Sequence, residues 1–529
     1  MSLITLSKSL ESNADVSDIF QCLAQSFDSP VGLLETASIS TKEHTNSVIM
    51  LSAAMRIRCF GQQVTIDALN ANGRQALGIL SESFTATLRE DSRLVIEQSH
   101  EELLSQVEED AKLSAPSVFD ILRKVLAFCR CDHHDDKTTQ LIGTFSFDCY
   151  QLFESLPEPT SEQVFPDYEF FLADTLVIID HINFSQRLVV KVLPGSAQES
   201  IKNDYQNRIQ FIQSKLSESA SKQSTVADSP GLEKLPQPRV NISANAYEQW
   251  VERAKQHIIA GDVFQLVLAR DFQLPCHNAF AAYQALKRSN PSPYMFFLRT
   301  EDYELFGASP ESAVKFSADD RRLSIYPIAG TRRRGLTAKQ TIDHDLDARI
   351  ELELKNDEKE KAEHLMLVDL ARNDIARVCV TGSRRIDRLL EIDRYSHVMH
   401  LVSKVSGHLK PQLDALSAYQ ACLNMGTLSG APKVRATQLI REIEQQHRGV
   451  YGGAMGYLNA HGDMDTAIVI RSALVQQGCA TVSAGAGIVY DSKATLEVLE
   501  TENKAAAVLT AIARSNSLAA AVDQEAAHA

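Results

Sequence analysis

The sequence lacks a long run of apolar residues. In a chain of 529 residues, no uninterrupted apolar stretch approaches the ~20 residues that a helix needs to cross a bilayer. The N-terminal stretch MSLITLSKSLESNADVSDIF has no apolar segment followed by a cleavage signature, so we expect no secretory signal. Both absences argue against a membrane or secreted protein and favour a cytoplasmic one.

Basic residues are fewer than acidic ones, and the cysteines show no pairing pattern. The chain has 53 Lys and Arg against 68 Asp and Glu, a net charge of −15. This balance argues against partners such as nucleic acids or anionic membranes. The nine cysteines are scattered and odd in number, which is typical of reduced thiols in the cytoplasm.

Composition and length predict a globular protein with more than one packed unit. Hydrophobic residues make up 44% and charged residues 23%, as in ordinary soluble proteins, and the length is too great for one small core. Residues 216–242 are rich in Ser, Pro and small polar residues without periodicity, which predicts a linker or long surface connection. We therefore expect an N-terminal region at 1–215, a catalytic domain at 243–515 and a flexible tail at 516–529.

The order of predicted elements favours an α+β fold. Apolar periodicity predicts helices at 247–259 (ended by Gly261), 341–378, 431–446 and 493–514, and strands at 263–269, 294–298, 323–328, 466–475 and 481–489. Several strands follow one another without an intervening helix. This order favours largely antiparallel sheets over a doubly wound fold.

Two predicted helices carry pairs of carboxylates three residues apart. In EKEKAEHLMLVDLARND (358–374), Glu360 and Glu363 share a stripe with leucines, and the second pair is Glu497 and Glu500. Buried carboxylates need a cation of the protein, a proton or a metal ion. If the two pairs meet, an oxygen-only site suits Mg²⁺. Each pair could equally be a solvated helix face, and spacing alone does not decide.

Other residues suggest an anionic ligand. Arg471 lies inside the apolar run TAIVIRSALV, where an unpaired guanidinium is costly, and arginine binds carboxylates through a bidentate fork. The stretches SAGAG (483–487) and GTRRRG (330–335) offer further N–H donors, although a tight turn and a solvated basic turn explain them equally well. His400 is either a general acid–base or a satisfied core histidine.

A series of motifs resembles the chorismate-utilising enzymes, and most closely the anthranilate synthase component I family. In the order in which that family has them, they are PIAGTRRRG (327–335), AEHLMLVDLARND (362–374), HVMHLVS (397–403), GTLSGAPK (426–433), YGGAMGY (451–457), AGAG (484–487) and ETENKA (500–505). The resemblance covers about 245–510. It implies antiparallel sheets packed as a sandwich with helices on the outside, and Mg²⁺-dependent conversion of chorismate and ammonia to anthranilate and pyruvate in tryptophan biosynthesis.

The resemblance also implies roles for particular residues. Glu363 and Glu500 correspond to Mg²⁺ ligands, and Glu360 and Glu497 complete the acidic cluster directly or through water. His400 and Thr427 are expected in catalysis, and chorismate is expected to contact Gly330, Thr331, Tyr451, Arg471, Gly485, Ala486, Gly487 and Lys504. Gln265 and Ala329 stand where isochorismate and aminodeoxychorismate synthases respectively place lysine. The remaining alternatives are another chorismate enzyme, forming isochorismate or aminodeoxyisochorismate, or a non-catalytic tryptophan-sensing protein of the same fold.

Regulation and a partner follow from the same resemblance. LLET (33–36) and NPSPYMF (290–296) are similar to the family's L-tryptophan feedback site, which assigns Glu35, Thr36, Asn290, Pro293, Tyr294 and Met295 to the inhibitor. The chain has no Gly-x-Cys-x-Gly elbow for a glutaminase nucleophile. We therefore expect a separate glutamine amidotransferase subunit, in a heterotetramer of two large and two small subunits.

Overall fold

A computed structural model describes residues 2–10, 14–27, 30–37, 44–85, 88–98, 109–131, 136–219, 236–337, 341–395 and 398–528. Its helices are α1 Val16–Ala24, α2 Ala71–Leu80, α3 Glu109–Lys112, α4 Phe119–Phe128, α5 Gln198–Ser219, α6 Ala244–Ala260, α7 Ala279–Ser289, α8 His344–Asn356, α9 Glu358–Val378, α10 Ala415–Cys422, α11 Lys433–Glu444 and α12 Ala494–His528. Short 3₁₀ turns span Ser81–Ser83, Asp136–Thr138 and Phe147–Leu152.

The strands are β1 Ile4–Ser9, β2 Val31–Ala37, β3 His44–Phe60, β4 Gln63–Ala68, β5 Leu88–Arg89, β6 Arg93–Glu97, β7 Gln140–Phe145, β8 Tyr168–Asp180, β9 Ser185–Val192, β10 Arg239–Val240, β11 Gln265–Pro275, β12 Tyr294–Arg299, β13 Glu304–Ser309, β14 Ser312–Ser317, β15 Arg322–Ile325, β16 Ile328–Arg333, β17 Arg385–Arg394, β18 Val398–His408, β19 Gly430–Ala431, β20 Ala454–Asn459, β21 Met464–Ile468, β22 Ser472–Gln476 and β23 Cys479–Ile488.

The strands form two long antiparallel sheets that share β3 and β8. The first runs β1–β9–β8–β3–β2–β12–β13–β22–β23–β11–β10. The second runs β6–β4–β3–β8–β7–β20–β21–β14–β15–β18, and β16 and β17 also pair with β18. The register of β3 against β8 shifts between Met50 and Met55, where each strand passes from one sheet to the other, as strands do at the corners of sandwiches.

The predicted sandwich with outer helices is confirmed. Between the sheets lies an apolar layer that includes Met50, Phe171, Phe296 and Met455. Helices α1, α5, α7 and α12 bury their apolar faces on the first sheet, and α2, α4, α9 and α10 do so on the second. Helices α6 and α11 cover β11 and β23 at the end of the first sheet.

Local signals explain where the helix α6 begins and ends. The Ser243 side chain accepts a hydrogen bond from the Ala246 N–H at the first turn, and Gly261 ends the helix with φ of 84°, a conformation that glycine adopts without steric cost. The predicted stop at Gly261 is confirmed.

Three predicted elements were wrong because each is divided in two. Segment 341–378 is two helices separated at Asp357, whose extended backbone ends α8 and whose carboxylate accepts hydrogen bonds from the first N–H groups of α9. The predicted strand 466–475 is broken at Arg471, which has a φ of 48°. The predicted strand 323–328 ends at Ile325 and resumes as β16 at Ile328. Apolar periodicity does not reveal such interruptions, although Pro327 could have marked the third of them.

The domain division stays a prediction. Residues before and after 216–242 contribute strands to both sheets, through the pairs β2–β12 and β7–β20. Residues 220–235 of the predicted linker lie outside the described residues, and α12 continues to His528 through most of the predicted tail. Among the helices of the described ranges, none has the length and apolar character needed to cross a membrane.

Candidate active site

The carboxylates predicted on two helices influence one another. Glu363 on α9 is half-buried, and its pKa is raised. Burial is the largest cause, and the negative charges of Glu360 and of Glu500 on α12 raise the pKa further. Burial likewise raises the pKa of Glu497, and Glu500 adds to the effect. The fold therefore brings both predicted Glu pairs to one acidic cluster, defined as Glu360, Glu363, Glu497 and Glu500.

Some of these carboxylates have cations of the protein as partners. Arg332 Nη1 lies 2.9 Å from Glu360 Oε1, and Lys504 Nζ lies 2.7 Å from Glu500 Oε1. Glu363 has no ion pair among the described residues; the Gln265 Nε2 atom donates to its Oε1 at 3.2 Å. Asp374, deeper in α9, is buried and paired with Lys433 at 2.9 Å. Among the described residues, Glu363 is thus a half-buried carboxylate whose hydrogen-bond partner is neutral.

The acidic cluster has the residue types that bind a divalent cation, but its side chains are not arranged as a complete coordination shell. In their present positions, the described residues contain no group of three or more His, Cys, Asp and Glu that could hold a metal ion. Mg²⁺, however, takes only one or two carboxylates directly and completes its shell with water and substrate oxygens. The raised pKa values of Glu363 and Glu497 indicate carboxylates whose ionised forms would gain from an added cation.

Glycines allow other groups to approach this cluster closely. Gly330 has φ of 76°, and a Cβ there would lie 3.0 Å from Glu360 Oε2. A Cβ at Gly487 would lie 2.6 Å from Gln265 Nε2, and one at Gly485 would lie 3.1 Å from the Tyr451 hydroxyl. Ala486 lies between these glycines on β23, opposite Leu268 of β11. The strand end predicted to bind substrate therefore adjoins the acidic cluster.

The predicted catalytic histidine lies on the neighbouring strand pair. His400 of β18 is opposite Thr331 of β16, and the Thr331 hydroxyl lies 2.8 Å from His400 Nδ1. His400 is buried, and its ring packs edge-on against Tyr395 at 5.4 Å. Thr331, predicted to contact substrate, thus also holds the imidazole in place.

Glu311 is a site residue that was not predicted from the sequence. It lies between β13 and β14 and is buried, and burial raises its pKa to about 8, against smaller lowering effects of Thr427, the Ile328 N–H, Arg471 and Lys504. The Thr427 hydroxyl, which has no hydrogen-bond partner at normal distance among the described residues, is close enough to influence Glu311. A carboxylate amid the apolar FGASPESAVKF (306–316) was the signal that could have identified it.

Arg471 and Lys504 connect Glu311 to the rest of the site. Burial lowers the pKa of Arg471, and the opposite effects of Glu311 and Tyr395 partly restore it. Lys504 lowers the pKa of both Glu311 and Glu363, and its Nζ donates to the Gly485 carbonyl at 2.9 Å. One site therefore combines the acidic cluster with a buried carboxyl, Glu311, whose pKa both Arg471 and Lys504 lower.

The two segments predicted to bind an inhibitor lie on adjacent strands. Residues Thr36 and Glu35 of β2 pair with Tyr294 and Met295 of β12. The Glu35 carboxylate is buried and accepts hydrogen bonds from the Tyr283 hydroxyl and from Lys287 Nζ, the latter at 2.7 Å. It is therefore engaged with α7 on the outer face of the sheet.

A small pocket lies beside these strands. It has a volume of ≈ 20 Å³, room for about one water molecule, and its lining includes Leu34, Glu35, Thr36, Tyr294, Met295, Phe296, Met455, Gly456, Tyr457, Asp465 and Ala467. The wall from β20 and β21 was not predicted from the sequence. Asn290 and Pro293 lie outside the lining: the Asn290 N–H donates to the Leu286 carbonyl at the end of α7, and the Pro293 carbonyl accepts from Ala37.

Comparisons with known proteins identify the family of the chain. The family profile of chorismate binding enzymes matches residues 81–510. Anthranilate synthase component 1 of Vibrio cholerae is 48% identical over 486 residues, 91% of each chain, and that of Escherichia coli K12 is 47% identical over 486 residues, also 91% of each.

Solved structures show the same fold. The crystal structure of anthranilate synthase component I from Streptococcus pneumoniae TIGR4 is similar at 30% identity with a TM-score of 0.63, covering 88% of this chain and 92% of that one. The menaquinone-specific isochorismate synthase of Escherichia coli has a TM-score of 0.65 at 18% identity, covering 97% of this chain and 95% of that one, which shows the fold alone. The chain therefore belongs to the chorismate binding enzymes and, among them, to the anthranilate synthase component 1 family.

Proposed function

We propose that the chain converts chorismate and ammonia to anthranilate, pyruvate and water, with Mg²⁺ held by Glu363 and Glu500 and with Glu360 and Glu497 completing its surroundings. The observation that carries the proposal is the position of Lys504, which pairs with Glu500 of the acidic cluster and lowers the pKa of both Glu363 and Glu311. Chorismate has two carboxylates and a hydroxyl that is a poor leaving group. It therefore needs cationic groups to bind its carboxylates and an acid to protonate its hydroxyl in the same site.

Arg471 and the small residues of β23 are assigned to binding and orienting the substrate. Arg471 offers a bidentate fork to one carboxylate, and the small residues Gly485, Ala486 and Gly487 leave room for the ring against β23. When bound, Mg²⁺ supplies Lewis-acid polarisation and a template for the other carboxylate. Tyr451 and Lys504 complete the polar lining on the same side.

Proton transfers are assigned to Glu311 and His400. At neutral pH, Glu311 is mostly protonated because its pKa is about 8, so it can donate a proton to the departing hydroxyl as that group leaves as water. After ammonia has added, loss of a ring proton and of pyruvate restores the aromatic ring. His400, whose orientation Thr331 maintains, can accept that proton, and the Thr427 hydroxyl lies beside Glu311 to orient the leaving oxygen.

Product analysis tests this function. The purified chain is incubated with chorismate, MgCl₂ and an ammonium salt, and anthranilate is followed by its fluorescence. We expect Glu363→Gln and Glu311→Gln to lose turnover, whereas Glu358→Gln, an exposed carboxylate at the start of the same helix as Glu363, keeps it. Isochorismate or aminodeoxyisochorismate as the end product would replace this proposal with the corresponding alternative, and binding of tryptophan without any turnover would favour a sensor protein.

Ammonia is proposed to come from a separate glutamine amidotransferase subunit, since relatives are named component 1. All nine cysteines are free thiols, and six are buried; burial raises the pKa of Cys129 to about 12 and of Cys276 to about 11. Such thiols are poor nucleophiles. We propose a cytoplasmic heterotetramer with two copies of each subunit, which sedimentation of the reconstituted complex tests.

Feedback inhibition by L-tryptophan is proposed at the pocket between β2, β12, β20 and β21. At ≈ 20 Å³ the pocket must widen to admit an indole, so inhibition would act by favouring a widened state of the two sheets. An amino-acid ammonium would compete with Lys287 for Glu35. Calorimetry with L-tryptophan tests the site, and absence of binding to the folded chain would reject it.

A further inference from the structure

Arg270 is a buried arginine that the proposed reaction does not use. It lies on β11 and is 1% exposed, and its guanidinium lies over the rings of Tyr247 and Phe272, 5.4 and 5.0 Å from the ring centres. Burial of a guanidinium is costly unless hydrogen bonds compensate for the lost water. The acceptors that compensate Arg270 therefore indicate which part of the protein it holds in place.

The guanidinium of Arg270 donates to one short segment of α12. Its Nε atom donates to the Thr501 hydroxyl at 2.8 Å, and its Nη2 atom donates to the Val498 carbonyl at 3.1 Å and to Glu502 Oε1 at 2.9 Å. These three acceptors flank Glu500 of the acidic cluster in the sequence. Arg270 is therefore bonded to the turn of α12 that carries this carboxylate.

Apolar packing holds the later turns of α12 more firmly than its first ones. From residue 505 onward the helix packs on the first sheet through the buried side chains of Ala505, Val508, Leu509, Ala511 and Ile512. Earlier in the helix, Val498 is buried, but Leu496 and Leu499 are 56% and 50% exposed. The hydrogen bonds of Arg270 thus constrain the part of the helix on which apolar contacts are sparse.

The other helix of the acidic cluster is connected to the same strand. Gln265 of β11 donates to Glu363 on α9 at 3.2 Å, and Arg270, five residues later on β11, is bonded to α12. The strand itself pairs with β23 from Leu266 to Pro275 without a shift in register. One strand therefore supports both helices whose carboxylates form the acidic cluster.

A small rotation of α12 would be enough to disturb a metal site. Side chains reach about 5–6 Å from a helix axis, so rotation of α12 by about 20° would displace the Glu500 carboxylate by ~2 Å. Mg²⁺ requires nearly octahedral geometry, with ligand oxygens at about 2.0–2.1 Å. A displacement of this size would remove the carboxylate from coordination.

We propose that Arg270 is a positioning residue of the magnesium site. It holds the first turns of α12 so that Glu497 and Glu500 face the carboxylates of α9. The inference rests on the proposed function, which assigns Mg²⁺ to the acidic cluster. Arg270 acts through α12, without contact to the substrate or the metal ion.

Two substitutions remove the contact from opposite sides. Arg270→Lys keeps the buried charge, but an ammonium group lacks the planar fork that reaches all three acceptors. Thr501→Val nearly preserves the side-chain volume and removes the acceptor of the Arg270 Nε atom. Arg56→Lys is the matched control, because Arg56 is also buried and donates through its Nε atom to a buried carboxylate, Glu169, at 2.6 Å, on strands that carry none of the acidic cluster.

Three measurements are made on each variant and on the parent chain. Calorimetry gives the Mg²⁺ affinity, with Mg²⁺ alone and with chorismate present but ammonium absent. The Mg²⁺ dependence of ammonium-driven turnover is followed by anthranilate fluorescence. Urea unfolding measures stability, so that loss of metal binding is separated from general destabilisation.

Arg270→Lys and Thr501→Val are each expected to weaken Mg²⁺ binding by about tenfold and to raise the Mg²⁺ concentration for half-maximal turnover by the same factor. At saturating Mg²⁺, kcat and the KM for chorismate should stay within about twofold of the parent values. The control should lose stability without a change in Mg²⁺ affinity. Parent-like Mg²⁺ affinity in both variants would overturn the proposal, as would an equal loss of affinity in the control; if Arg270→Lys does not fold, Thr501→Val decides alone.

The same measurements separate this inference from the proposed function. A parent chain that binds Mg²⁺ but makes no anthranilate from ammonium would reject the proposed function, and calorimetry with Mg²⁺ alone would still decide the role of Arg270. A parent chain that binds no Mg²⁺ would overturn both the magnesium site and the role of Arg270.

Discussion

Replacement of Glu311 by Gln should stabilise the protein in a strongly pH-dependent way. The carboxyl is buried, and its pKa rises from an ordinary 4.5 to about 8. Between these values the unfolded chain has lost the proton that the folded chain still holds, so the unfolded state binds fewer protons and the free energy of unfolding falls as the pH rises. Glutamine is neutral at every pH and is close to the carboxyl in shape.

The difference in the free energy of unfolding between the variant and the parent chain follows from the change in the pKa of Glu311. A tenfold change in acidity is worth ~1.4 kcal/mol, so a change from 4.5 to about 8 makes ionisation of Glu311 unfavourable by roughly 5 kcal/mol in the fully ionised limit. About two thirds of this difference, roughly 3 kcal/mol, should develop between about pH 5 and about pH 8. The Glu311→Gln variant should therefore differ little from the parent chain at the lower pH and exceed it by that amount at the higher one.

Urea unfolding of the metal-free chain at a series of pH values measures the difference, with two spectroscopic probes to establish that one transition is observed. Glu158→Gln, an exposed carboxylate, is the control and should give a difference that does not change with pH. A pH-independent difference for Glu311→Gln would refute the reasoning, because it would mean that Glu311 ionises in the folded protein as it does in water. Loss of turnover in the same variant would show that the destabilising carboxyl group of Glu311 is kept for function.

Three further predictions concern buried ion pairs and one helix cap. Lys287→Met leaves Glu35 buried without its cation and should lower the free energy of unfolding by about 3 kcal/mol, and adding Glu35→Gln should restore most of it; equal losses in the single and double variants would count against the pairing. Lys433→Met should cost a similar ~3 kcal/mol by isolating Asp374, with rescue by Asp374→Asn in the same unfolding assay. Asp357→Ala removes the cap of α9 and should cost about 1 kcal/mol, and a variant as stable as the parent would contradict the role of that carboxylate.

The site residues on α9 could be predicted from the sequence because they all lie on one helix with regular spacing. The spacing of Glu360, Glu363 and Asp374 places them on the stripe of Leu367, and burial of Leu367 and Asp374 follows that stripe. The fold class was predictable for a similar reason, since a succession of strands without crossover helices leaves few options other than antiparallel pairing.

The remaining features depend on contacts between distant segments. Nothing in the local pattern of β3 indicates that it changes sheets between Met50 and Met55, because that bend is set by its partners on both sides. Glu311 has no periodic neighbour to mark it, and its altered pKa arises only when the surrounding strands exclude water. The left-handed backbone of Arg471 likewise follows from its position between β21 and β22.

Charge balance connects these features to the proposed chemistry. Arg332 and Lys504 already neutralise part of the acidic cluster, so a divalent cation entering the free chain must compete with them. A substrate with two carboxylates changes this balance, since it offers Lys504 another anion and brings negative charge that a cation can share. Substrate and cation should therefore bind more tightly together than apart, and by equal factors, since coupling between two sites is reciprocal.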